Sequence, residues 1–399
     1  VPSDTVVLRK PQAIEIGLPT EGRRVEKYRM GAPGQYPATL AGAFNRVAFA
    51  AVHVVSDPLA KHDPWLTPSI DWDATISYRR HLWGLGFSVA EAMDTAQRGM
   101  GLDWPNALDL IRRSAAAARA DGHRMLASGA GTDHLDPADA KSIDDVILAY
   151  EEQFEAVEQA GSPIIFMASR ALVRVARSAD DYRRVYDRLL AQTREPVIIH
   201  WLGDMFDPQL AGYWGSKNIA TAMATALDVI RAHPAKVAGI KISLLDARWE
   251  IEMRRQLPSG VMMLTGDDFN FADLIAGDEL GYSDALLGIF DAIAPAASAA
   301  LTRLAAGDEA GFRAVLAPTV PLSRLIFEAP TRFYKTGVVF LAWLNGHQDH
   351  FTMVGGQESA RSIQHLSEVF RLADQAGLFR DPPLAAERMQ KLLAVHGVG

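Results

Sequence analysis

Cysteine is absent from the 399 residues of this chain. Disulfides, thiolate nucleophiles and cysteine-ligated metals are thereby excluded, and a reducing, cytoplasmic setting is the expectation. No apolar run approaches the roughly 20 residues that a membrane-spanning helix needs. Basic charge is in deficit, with 40 Lys and Arg against 48 Asp and Glu and a net charge of −8. A nucleic-acid or anionic-membrane partner would need a basic face, so neither is expected. The opening stretch, VPSDTVVLRK, lacks an initiator Met and the apolar core of a signal peptide; an end that has been processed or trimmed is expected. Nucleotide signatures are missing as well. No G-x-G-x-x-G follows the first apolar run, and no G-x-x-x-x-G-K-[ST] occurs.

What is present is a rhythm. The chain is 49% hydrophobic, and from Asn45 onward apolar runs alternate with helical patterns. The runs are Val47–Val55, Gly86–Ala92, Met125–Ala127, Pro163–Met167, Val197–Trp201, Ala238–Ile242, Met262–Leu264 and Ala285–Ile289. Between them Ile143, Val146, Ile147, Tyr150, Phe154 and Val157 recur at three and four residues, one face of a helix. Tyr182, Val185, Tyr186, Leu189 and Leu190 do the same. Asp103 stands where an N-cap belongs, ahead of Trp104-Pro105. Strands alternating with helices predict an α/β fold with a parallel sheet, and eight units suit a closed (β/α)8 TIM barrel. A doubly wound open sheet is the alternative. Residues 45–291 are assigned to the barrel. Residues 1–44 are expected to form an N-terminal arm, with short strands at Val6–Leu8 and Ala13–Ile16, packed outside the barrel as a hairpin that serves a subunit contact. After Asp291 helical patterns cover 292–304, 309–316, 322–327, 335–344 and 359–376, so 292–399 is assigned to a C-terminal helical extension.

One residue breaks the apolar pattern in a way that matters for chemistry. Lys241 lies within Val237–Leu245, a buried-strand candidate. A lysine there costs free energy unless it is paired or neutral. It is either a strand-end lysine that snorkels to solvent or an amine poised to form a Schiff base with a carbonyl substrate. A free lysine has a pKa near 10.4, so roughly one in two thousand is unprotonated at neutral pH. Burial would lower that value toward ~7–8 and raise the reactive fraction by hundreds-fold.

About 20 residues on, Val261-Met262-Met263-Leu264-Thr265 is closed by Gly266-Asp267-Asp268. Gly239-Ile240-Lys241 and Thr265-Gly266-Asp267-Asp268 together resemble the dihydrodipicolinate synthase and N-acetylneuraminate lyase superfamily of class I aldolases. That superfamily carries G-I-K on its sixth barrel strand and (S/T)-G-D-D at the end of its seventh. The resemblance runs from about Asn45 to Leu378 and includes Ala306-Gly307-Asp308, Pro321-Leu322 and Phe327-Glu328 at the entry to a C-terminal helical extension. It implies a Schiff-base mechanism on Lys241, no cofactor, a small-molecule substrate and a homo-oligomer.

In a TIM barrel catalytic groups stand at the C-terminal ends of the strands. The fifth strand ends with His200 where the resemblance calls for a proton-relaying tyrosine. A histidine performs acid–base work near pH 7, with Asp204 as a candidate to orient it; a structural histidine is the alternative. The second strand ends Met93-Asp94-Thr95. Thr95 fills one hydroxyl position of the superfamily's substrate loop, while Asp94 replaces another and would accept hydrogen bonds from sugar hydroxyls. Ser169 and Arg170 close the fourth strand and suit an anionic or polyhydroxylated substrate. Gly129 and Gly131 give the third strand a tight loop. His53 and Asp57 follow the first strand, and Asp267 the seventh.

The leading reading is a Schiff-base lyase or aldolase acting on a small oxygenated carbonyl compound such as a keto acid or keto sugar. Lys241 is its nucleophile, His200 and Thr95 its acid–base candidates, and Asp94, Ser169, Arg170, Asp267 and His53 its substrate-binding candidates. The alternative is a metal-dependent hydrolase or isomerase acting on a sugar-like substrate, with Asp57, His53, His200, Asp204 and Asp267 as ligands for Zn, Mn or Mg. No H-E-x-x-H motif singles out such a site. A third reading is a barrel that binds a metabolite without turning it over. Gly346-His347-Gln348-Asp349-His350 reads as a solvated loop or helix cap, and Trp201 and Trp214 as packing.

Overall fold

The computed structural model describes residues 14–22, 24–122 and 125–398. They begin with an antiparallel hairpin of β1 (Glu15–Thr20) and β2 (Arg24–Arg29). Val6–Leu8 and Ala13, expected as strand residues, lie outside the described residues. All eight apolar runs then form strands: β3 (Ala48–Ala51), β4 (Ser88–Glu91), β5 (Leu126–Ala130), β6 (Ile164–Phe166), β7 (Val197–Leu202), β8 (Val237–Ser243), β9 (Met262–Thr265) and β10 (Asp284–Leu287). They pair in parallel in chain order, and β10 returns to β3. The sheet is therefore a closed (β/α)8 barrel, not an open doubly wound sheet.

Strand alternation sorts the side chains into two layers. Ala51, Ala90, Ala127, Ile165, Ile198, Leu264 and Leu286 fill a small interior core. Their neighbours Ala50, Val89, Leu126, Ile164, Ile199, Met263 and Leu287 face the helices in the larger core.

The helical ring comprises α1 (Trp72–Gly84), α2 (Trp104–Ala120), α3 (Ile143–Ala160), α4 (Arg170–Val175), α5 (Ala179–Gln192), α6 (Ile219–Ala232), α7 (Ala247–Arg254), α8 (Phe271–Ala276) and α9 (Ile289–Ala292). The sequence marks where several of them start. Asp103 accepts from the Asn106 amide at the head of α2, and Ser142 with Asp145 forms a capping box on α3. A fully buried Arg79 ties α1 to β4 through a two-pronged pair with Glu91, at 2.9 and 2.8 Å.

Six further helices follow: α10 (Ala294–Ala305), α11 (Glu309–Leu316), α12 (Thr319–Ile326), α13 (Tyr334–Leu344), α14 (Ile363–Gln375) and α15 (Pro382–Val395). The last was not expected; Asp381 caps it by accepting from the Leu384 amide. Every residue of α13 is buried. The hairpin is held against α14, where Asp374 accepts from Tyr28 Oη and from the Gly31 amide, both at 2.8 Å.

Candidate active site

The C-terminal end of β8 sets the site. Ile240 and Ile242 pack outward, so alternation turns Lys241 and Ser243 inward. Gly266, after β9, leaves the room they need. A Cβ there would lie 2.7 Å from Lys241 Cε and 2.6 Å from the Ile242 carbonyl oxygen, closer than real contacts allow. Lys241 is 5% exposed. Among the described residues its amine has no hydrogen-bond or ion-pair partner. Burial lowers its pKa, while Asp94 and Asp268 pull the other way.

The neighbours come from three directions. His200 is the register partner of Lys241 on β7, and its Nε2 lies 3.2 Å from Ser243 Oγ. Burial, reinforced by Lys241 and opposed by Asp94, holds the His200 pKa well below the usual value. It is a neutral imidazole at neutral pH, and its Nδ1 is buried without a partner among the described residues. Asp268 accepts from the Ile289 amide at 2.9 Å. Burial pushes its pKa up to about 8, against Lys241 and that hydrogen bond, so it is protonated at neutral pH. For Asp94 burial works upward too, but Lys335, Lys241, His200 and a hydrogen bond from Tyr334 outweigh it and hold the pKa below the ordinary carboxylate value.

Tyr334 opens α13 and reaches the barrel mouth from the C-terminal helices. Its Oη donates to Asp94 Oδ2 at 2.8 Å and lies 2.7 Å from Thr95 Oγ1. Its ring stacks on Phe327 with centroids 4.3 Å apart. Burial, then Asp94, raises the phenol pKa well above the usual value, so it stays a donor. Lys335, the next residue, is 3% exposed. Burial brings its pKa down to about 8, with Asp94 and Asp207 opposing.

A cavity of about 120 Å³ opens at this end of the barrel, lined by Asp94, Thr132, Arg170, Leu202, Asp207 and Lys335 among others. Lys241 is not a lining residue. Asp94, which is, acts electrostatically on both Lys241 and Lys335.

The structure therefore brings together Lys241, His200, Asp94 and Thr95, with Arg170 on the cavity wall. It does not bring the remaining candidates there. Ser169 caps α4, accepting from the Leu172 amide at 2.9 Å, and its Oγ lies 2.6 Å from Thr132 Oγ1. Asp267 points outward and holds its own turn through the amides of Phe269 and Asn270; Asp268 is the inward member of the pair. His53 is bound to Asp291 at 2.7 Å and packs on Tyr78, in a separate buried group with His81 and His347. His347 is thus packed against rings, not solvated as expected. Asp204 is exposed and does not contact His200, whose partner is Ser243. Asp57 accepts from the Leu59 amide in a turn. Among the described residues no three His, Cys, Asp or Glu side chains converge as metal ligands would, so the five proposed ligands stand apart. Trp201 and Trp214 are buried packing residues. Tyr334, Lys335 and Asp268 were not singled out from the sequence.

Solved structures similar to this one include members of the dihydrodipicolinate synthase family. The 4-hydroxy-tetrahydrodipicolinate synthase of Methylacidiphilum fumariolicum is 14% identical, with a TM-score of 0.61 over 87% of this chain and 99% of that one. A prophage protein of the dihydrodipicolinic acid synthase family from E. coli K12, solved with pyruvate, is 12% identical, with a TM-score of 0.61 over 90% of this chain and 100% of that one. The dihydrodipicolinate synthase of Oceanobacillus iheyensis is 15% identical, with a TM-score of 0.54 over 88% and 97%. At these identities the likeness is one of fold. No curated protein matches the sequence. Among the described residues no helix is long and apolar enough to cross a membrane. One family model spans residues 16–398, and the chain belongs to that family, the proteins of unknown function DUF993.

Proposed function

We propose that the protein is a lyase of the Schiff-base aldolase type acting on a small oxygenated carbonyl compound. The observation that carries this reading is the state of Lys241: an amine inside a barrel toward the C-terminal end of its sixth strand, lowered in pKa by burial and without a hydrogen-bond or ion-pair partner among the described residues. The fold shared with the dihydrodipicolinate synthases supports it.

The chemistry follows from the neighbours. In its unprotonated form, which burial favours, the Lys241 amine adds to the substrate carbonyl, and the carbinolamine loses water to give an iminium ion. That loss needs a proton on the departing hydroxyl, and the protonated Asp268 is the nearby acid. The iminium cation then takes up the electron pair as a proton leaves the adjacent carbon or a C–C bond of that carbon breaks, giving an enamine that can in turn expel an oxygen leaving group from the next carbon. The Asp94 carboxylate receives that proton, with Tyr334 and Thr95 as a hydroxyl pair that fixes its orientation and passes protons on. His200, kept neutral, is held by Ser243 and stands beside Lys241 across the sheet instead of titrating.

The test is deuterium incorporation at the carbon next to the carbonyl, followed by NMR in D2O over a panel of keto acids, keto sugars and aldehydes. Wild-type protein exchanges at least one compound, Lys241→Arg does not, and a chelator changes nothing. Exchange that survives in Lys241→Arg but is abolished by the chelator would overturn the reading in favour of a metal-dependent enzyme.

A further inference from the structure

The cavity wall holds three cations, and counting their donors separates them. Arg98 is saturated. It forms a two-pronged pair with Asp133 and also donates to Gln153 and to the carbonyls of Ala92 and Gly129. Arg170 donates only through Nε, to Asp207; its two terminal nitrogens have no acceptor among the described residues. They stand over Gly99, where a side chain would meet them, since a Cβ would lie 3.4 Å from Nη2. Lys335 donates to the Arg332 carbonyl at 3.0 Å and, weakly, to Met100 Sδ at 3.5 Å, and it lies over the Tyr334 ring. It makes no ion pair among the described residues, although it is 3% exposed.

A buried ammonium with one carbonyl acceptor, one weak thioether acceptor and no ion pair is costly. Here the cost is increased by repulsion from Arg170 and Arg332, and reduced by Asp94 and Asp207. An anion placed against Lys335 and the free end of Arg170 would supply the missing acceptors and relieve the repulsion.

We propose that Lys335 and Arg170 form an anion subsite in this cavity, so that the substrate carries a phosphate or carboxylate group that they hold. Asp94, on the same wall, keeps that group away from the bond-making end. The substrate class narrows accordingly, from oxygenated carbonyl compounds in general to those bearing an anionic substituent away from the carbonyl. The carbonyl half of this statement rests on the Schiff-base reading; the anion half does not.

Two probes test it: inorganic phosphate and malonate, titrated separately into the full-length protein by calorimetry. Wild type binds one of them, and the arm that binds identifies phosphate or carboxylate chemistry. Lys335→Met weakens that binding at least tenfold, Lys335→Arg restores it, and Arg170→Met, at a side chain 36% exposed, weakens it in a protein of unchanged melting temperature. Lys241→Arg retains the binding, which separates failure of the subsite from failure of the Schiff-base chemistry. Absence of binding by either probe, or equal binding in wild type and Arg170→Met, would overturn the proposal.

Discussion

Tyr334 donates its phenolic hydrogen to Asp94 at 2.8 Å, joining the C-terminal helices to the end of the second barrel strand across 240 residues of chain. The same hydroxyl lies 2.7 Å from Thr95. A hydroxyl pair and a carboxylate thus meet beside the buried amine, although the fifth strand, where the superfamily resemblance calls for a tyrosine, offers His200 instead. Tyr334→Phe keeps the stacking on Phe327 and removes only the oxygen. Loss of a positioned proton-transfer group costs about 10²–10⁴-fold in rate, and an unsatisfied buried acceptor costs about 1–3 kcal/mol of stability. The expected outcome is a folded protein, modestly lower in melting temperature, whose deuterium-exchange rate falls by at least a hundredfold. An unchanged exchange rate would remove Tyr334 from the mechanism.

Gly266 is required by space alone, because its hydrogen faces Lys241 Cε and the Ile242 carbonyl. Gly266→Ala must displace the lysine or the β8 backbone. Overpacking of this kind costs about 1–3 kcal/mol. The variant is expected to lose borohydride-trappable amine while retaining its barrel circular-dichroism spectrum. Full trapping in a protein of wild-type stability would show that the two strands have slack.

Glu250 offers a test of the electrostatics away from the amine. It lies under β9, accepting from Thr265 at 2.9 Å and Ser283 at 2.7 Å. Burial pushes its pKa from 4.5 up to about 8, with Asp267 adding to the rise and the two hydroxyls opposing it. The folded state therefore holds this proton more tightly than the unfolded chain. Its stabilising contribution is complete below the unfolded pKa and is lost as pH rises through about 8, at up to ~1.4 kcal/mol per pH unit. Glu250→Gln, which mimics the protonated acid, is expected to flatten the fall in unfolding free energy between pH 5 and pH 8. Parallel denaturant curves for the two proteins across that range would contradict the assignment.

The barrel was legible because its strands are continuous apolar runs separated by capped helices, and closure needs only their number and order. Lys241 was legible because a charge in such a run is anomalous. Asp268 was missed for Asp267, although the alternation of Met262 and Leu264 toward the interior, continued by two and by four residues, reaches Gly266 and Asp268. The partner of His200 was sought along its own strand at Asp204 and lies across the sheet at Ser243, which a linear reading does not reveal. Tyr334 and Lys335 gave no signal. They begin a helix, YKTGVVFLAWL, that is buried on every side, so no polar face shows which residues meet the barrel mouth. His347, seven positions further on than Phe340, was assigned to solvent because its neighbours are polar, yet its ring packs 4.4 Å from His81.

The most direct test of the account is borohydride trapping of the full-length protein with carbonyl compounds that do and do not carry a phosphate or carboxylate, followed by peptide mapping. The two buried lysines at this end of the barrel have different roles here: Lys241 condenses and Lys335 holds charge. The predicted result is a single reduced adduct on the Lys241 peptide, formed with an anionic carbonyl compound and lost in Lys241→Arg. An adduct on Lys335, or none with any carbonyl compound in folded protein, would contradict it.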